Sequence, residues 1–124
     1  MRIRLVFDSV QVTGQLNDTP TAQKVAAALP IESSVSTWGE EVYFGIPVND
    51  AEAPDATTVV DPGAICFWVM GSSMAIPFGR TPVSRGDECR LYSNVNVIGR
   101  VEGDPKVLGA VKSGESVRVE KAGD

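Results

Sequence analysis

The sequence predicts an all-β domain: a closed antiparallel barrel with two short capping helices. Three observations carry this. Runs with a period of two far outnumber runs with a helical period. The two helical stretches, in "TPTAQKVAAALP" and "DPKVLGAV", are short, and each opens with a capping residue followed by proline. Strands do not alternate with helices, so the βαβ rhythm of a parallel sheet is missing.

Residues 2–16 read as a hairpin: Ile3, Leu5 and Phe7 alternate with Arg2, Arg4 and Val6, and Val10, Val12 and Leu16 resume the period after a turn at Asp8-Ser9. The period then changes. Thr19 is placed to cap a helix with Pro20 at its first position, Ala22, Val25, Ala26 and Leu29 share one face, and Pro30 ends it. Two β-prone runs follow, 31–37 and 41–47, joined by a Trp38-Gly39 corner; "NDAEAPDATT" is an acidic loop and Val59-Val60 a short strand. "AICFWVM" (64–70) is continuously apolar, as a strand buried on both faces requires. "MAIPF" (74–78) returns after the "GSS" turn, and Pro77, which cannot donate to a ladder, marks that strand as an edge or a bulge. Residues 79–94 read as a long loop, and loops of that length are usually functional or mobile. "VNVIGRV" (95–101) is a strand, Asp104-Pro105 starts a helix of at most about two turns, and "ESVRVEK" (115–121) is the last strand. In all, roughly seven to nine short strands and two helices form one domain over residues 1–124, with no repeat and no linker.

Composition excludes several classes of function. The chain has no histidine, which removes Ser–His and Cys–His nucleophiles, a histidine base and histidine-ligated zinc. Two cysteines, Cys66 and Cys89, are too few for a thiolate metal site. They read as free thiols, with a disulfide as the alternative, and Cys66 in its apolar run as a small buried hydrophobe. A net charge of −5 speaks against nucleic acid or an anionic membrane as partner. No apolar run reaches the roughly 20 residues of a membrane span, and "MRIRLVFDSVQV" lacks the apolar stretch of a signal peptide, which favours the cytoplasm. "GSS" and "SGE" lack the spacing of phosphate loops, so no nucleotide and no cofactor is indicated.

Several motifs resemble a known family. "TPTAQKVAAALP", "GSSMAIPFGRTP" and "NVNVIGRVEGDPKVL" come in the order found in the cyclophilin fold, with Phe78-Gly79-Arg80-Thr81 and Val97-Ile98-Gly99-Arg100-Val101-Glu102-Gly103 in corresponding places. Over nearly the whole chain, including "TWGEEVYF" and "NVIGR", the sequence is similar to a small prokaryotic cyclophilin-like domain family of uncharacterised function. That resemblance implies the barrel and a cleft on it. In cyclophilins the cleft binds a proline-containing peptide beside an arginine that assists prolyl rotation across a barrier of about 18–20 kcal/mol. The arginine is expected where this chain reads "TWGEEVYFGIPV", which has none; Arg80 or Arg90 is the candidate replacement.

The segment 37–48 also poses a question of its own. In a strand, Glu40 shares a face with Val42, Phe44 and Ile46, and Glu41 shares the other with Tyr43, so the two carboxylates cannot flank one substrate. Glu40 then reads either as a charged strand end at the core's rim or as a partly buried carboxylate with a raised pKa. The expected function is that of a binding domain for a short peptide segment or a small apolar molecule. Its cleft lies near Trp38, Tyr43, Trp68, Met74 and Phe78, with polar contacts from Glu40, Arg80 and Asn96. Asn96 has turn or bulge duty as its other reading. A prolyl isomerase using Arg80 or Arg90 is the alternative, and a carboxylate-dependent enzyme using Glu40 a third.

Overall fold

The computed structural model describes residues 1–123 and shows a nearly closed antiparallel barrel. The N-terminal hairpin pairs Arg2–Phe7 (β1) with Gln11–Leu16 (β2), register Leu5 to Val12, through a turn closed by the Phe7 amide on the Val10 carbonyl at 2.9 Å. The helix Pro20–Ala28 (α1) starts as its cap dictates, with the Thr19 hydroxyl accepting from the Ala22 amide at 3.4 Å. Thr21, Ala22 and Val25 form its buried face.

The strands that follow are Ile31–Ser34 (β3), Ser36–Thr37 (β4), Glu41–Gly45 (β5), Thr57–Val60 (β6), Ala64–Trp68 (β7), Ser73–Pro77 (β8), Cys89–Val101 (β9) and Ser116–Lys121 (β10). Between the last two lies a 3₁₀ helix, Pro105–Ala110, whose Asp104 carboxylate accepts from the Lys106 amide at 2.9 Å. The sheet runs β3-β10-β1-β2-β9-β7-β8-β5-β4, and β6 pairs with β9 off this path. Its two ends, β3 and β4, are consecutive pieces of one segment interrupted only at Val35. β3 holds β10, β4 holds β5, and Val35 itself bonds residues 114 and 115 through its backbone. This segment draws the ends together.

Three expectations are corrected. β8 is not an edge: it lies between β7 and β5, and Pro77 is tolerated because it is the strand's last residue, where its carbonyl still accepts from Gly63. The stretch 79–94 is loop only to residue 88. β9 begins at Cys89 and runs for 13 residues, pairing first with β6, then with β7, then with β2. Among the described residues the strands total ten, one of them long. Both cysteines are free and buried.

Alternation along β5, β7 and β8 gives their sheet two apolar faces. Val42, Phe44, Ile65, Phe67, Met74 and Ile76 point into the barrel core with Ile3, Leu5 and Ile98. Cys66 and Ala75 belong to a second, smaller cluster with Leu91 and Val95, flanked by Tyr43 and Trp68. Among the described residues, no helix is long and apolar enough to cross a membrane.

Candidate functional site

The second face carries a cavity of about 260 Å³ lined by Trp38, Glu41, Tyr43, Trp68, Ala75, Leu91, Tyr92 and Val95. Its construction follows from side-chain size. Tyr43, Ala75 and Cys66 are cross-strand partners on β5, β8 and β7, and the small middle residues leave depth that the aromatic residues wall in. The first half of β9, turning away to pair with β6, supplies Leu91, Tyr92 and Val95 as the opposite side. Trp38, on the corner before β5, closes the ring; its amide bonds the Glu41 carbonyl at 3.0 Å.

The four aromatic rings meet edge to face. Trp38 and Tyr92 lie 6.2 Å apart at 76°, Tyr92 and Trp68 6.3 Å at 79°, and Trp68 and Tyr43 6.2 Å at 88°. Trp68 is pinned from two sides. Its indole N–H donates to the Ser93 hydroxyl at 2.6 Å, and Gly71 packs against its ring so closely that a Cβ there would fall 2.3 Å from Cε3.

Glu41 is the unusual member. It is 6% exposed, and its Oε1 is the one buried side-chain polar atom without a hydrogen-bond partner among the described residues. Among those residues no ion pair involves it. Burial alone raises its pKa from 4.5 to about 7. Loss of solvation also raises both thiols, Cys66 the more strongly.

Of the residues singled out in the sequence, the structure brings Trp38, Tyr43 and Trp68 together at this cavity. It places the others elsewhere. Met74 and Phe78 are barrel core. Glu40 lies at the rim, its half-exposed carboxylate 3.5 Å from Lys106 Nζ and accepting from the Arg80 amide at 3.4 Å. The Arg80 side chain is exposed, and Arg90 is bound to Glu88 at 2.6 Å and to the Thr58 hydroxyl at 3.3 Å, so neither guanidinium lines the cavity.

Asn96 lines a separate polar cleft between the start of α1 and the acidic loop. There its amide donates to Thr21 Oγ1 and to the Ala51 carbonyl, both at 3.0 Å, and accepts from the Ala53 amide at 2.8 Å. Asp50, beside it, is held below the usual carboxylate range by the Thr21 hydroxyl, the Ala51 amide and Lys24. No group of three or more His, Cys, Asp or Glu side chains suited to a metal ion occurs among the described residues.

Reading the sequence alone missed Glu41, Ala75, Leu91, Tyr92 and Val95. The signal for Glu41 was its shared face with Tyr43. Leu91 and Tyr92 were hidden in a stretch that reads as loop, and Val95 stands at the first position of the strand read over 95–101.

The chain matches the family model described as cyclophilin-like over residues 1–120. It is similar to the solution structure of a hypothetical protein from Archaeoglobus fulgidus, with 37% identity, 98% of this chain and 95% of that one covered, and a TM-score of 0.83. It also shares its fold with the structure of McbB in complex with tryptophan, at 18% identity and a TM-score of 0.71, covering 98% of this chain and 45% of the other. No curated protein matches it.

Proposed function

The chain belongs to the cyclophilin-like family, and from that premise we propose that it is a binding domain for a small apolar ligand, or for one apolar side chain of a short peptide, held among Trp38, Tyr43, Trp68 and Tyr92. The observation that carries this reading is the lining. Both tryptophans and both tyrosines of the chain wall one cleft of about 260 Å³, with Trp68 held by packing and a hydrogen bond. Apolar walls with a single convergent polar group are the usual make-up of a ligand site. Its volume suits one ring or a short branched chain. Both tryptophans of the chain line it, so intrinsic fluorescence reports on this cavity alone. Small aromatic compounds added in titration are expected to change that emission and to shift the amide resonances of Tyr43, Ala75 and Val95. Unchanged emission and unmoved resonances across the series overturn the reading.

A second reading, a carboxylate-dependent enzyme, has one observation in its favour. Glu41, not Glu40, is the buried carboxyl, and a pKa near 7 suits a general acid or base. Turnover of a bound compound that Glu41→Gln abolishes is the result that favours it over binding alone.

A further inference from the structure

We infer that the cavity is an aromatic cage for an organic ammonium group, with the Glu41 carboxylate as its counter-charge. The inference rests on the cavity being a ligand site and narrows what that ligand is. Four rings, linked edge to face at 76° to 88°, line one space together with Glu41. A ring's face is its negative side, and a cation within about 6 Å of several faces is attracted by each, most strongly when water is excluded.

The carboxylate points the same way. A buried acceptor with one oxygen unpartnered, and no resident Lys or Arg paired with it among the described residues, destabilises the empty domain. A neutral hydrocarbon leaves that oxygen unpaired, and an anion is repelled by both the carboxylate and the ring faces. An ammonium N–H, or the polarised methyl groups of a quaternary ammonium, answers the carboxylate and the rings at once. The chain's net charge of −5 adds a long-range attraction for cations. At about 260 Å³ the cavity admits a small arylalkyl amine or the end of a lysine-type side chain.

The test compares a cation with its neutral counterpart. Tryptophan emission is titrated at pH 8 with 2-phenylethylammonium and with 2-phenylethanol. The ammonium is expected to bind at least about tenfold tighter. Glu41→Gln is expected to bring the two within about twofold, by weakening the ammonium more than the alcohol. Equal binding of both probes to the wild type overturns the ammonium inference while leaving the cavity a ligand site; no binding of either overturns both. Should Glu41→Gln fail to fold, Tyr92→Ala removes one wall at a residue 68% exposed. It is expected to weaken the ammonium about two- to fivefold more than the alcohol, and equal weakening counts against the cage. A capped peptide with a central trimethyllysine, titrated alongside, tells a side-chain ammonium from a free amine.

Discussion

Glu40 and Glu41 are neighbours in sequence and sit in opposite surroundings. The Glu40 carboxylate is half-exposed 3.5 Å from Lys106 Nζ, and Glu41 is buried in the wall of the aromatic cavity with one oxygen unpartnered. Glu40 belongs to the bend before β5 and Glu41 is the strand's first residue, and of the two it is Glu41 that keeps its proton to near neutrality.

That difference sets a pH dependence of stability. Glu41 titrates at about 7 when folded and near 4.5 when unfolded, so the native state holds the extra proton between those values. Its stabilising contribution is complete below pH 4.5 and is lost as pH rises through 7. The full loss is on the order of 3 kcal/mol by the 1.36 kcal/mol per unit relation. Urea unfolding from pH 4.5 to 8.5 is expected to show this decline in the wild type and a shallower one in Glu41→Gln, which is then the more stable protein at pH 8.5. Parallel curves for the two would remove the burial argument.

Gly71 is where the cavity can be deformed from behind. A methyl there meets the Trp68 ring at 2.3 Å, so Gly71→Ala must push the indole off its Ser93 partner. A loss of about 1–3 kcal/mol in stability is expected from such overpacking. Red-shifted tryptophan emission is expected with it, and unchanged emission would place the strain elsewhere.

Asn96 has a structural task, and its removal tests that. Asn96→Leu keeps the volume and deletes three hydrogen bonds, leaving the Ala53 amide and the Ala51 carbonyl without this partner. We expect a cost of about 2–4 kcal/mol and faster hydrogen exchange at Ala53. The cavity's ligand response should be unaltered, because Asn96 is not in its wall.

Both thiols are shielded, and burial raises their pKa values. An aromatic disulfide reagent at pH 8 is therefore expected to modify neither thiol of the native protein within minutes, and both in 6 M denaturant (about the range that unfolds stable domains). Rapid native labelling of one would mean that strand β9 opens at Cys89.

Most of the barrel was legible in the sequence because its signals are local. Thr19-Pro20 and Asp104-Pro105 start their helical turns where the residues place them, and the 2–16 hairpin follows its alternation. What was illegible depends on partners distant in sequence. The first half of β9 interleaves buried Cys89 and Leu91 with polar and exposed residues, and its partner there is β6, about thirty residues away in sequence. Pro77 reads as an edge residue, yet its position at a strand's last residue satisfies the same constraint inside the sheet. For the site, Tyr43 was legible as a cleft residue, whereas Glu40 drew attention in place of Glu41, the carboxyl on Tyr43's own face. The cavity lies over Glu41 and Tyr43, where β9 and the Trp38 corner happen to rise above the sheet.

The placement of β10 between β1 and β3 has a consequence for how the molecule is made. Ile3 pairs with Lys121, across most of this sequence, and β3 pairs with the same strand. Until residues 116–121 are in place the sheet therefore holds two open margins, with β1 and β3 both unpaired where β10 belongs. Closure is a late event, dominated by contacts far apart in sequence, and such topologies fold in milliseconds to seconds rather than microseconds. Until then these margins can pair with other chains.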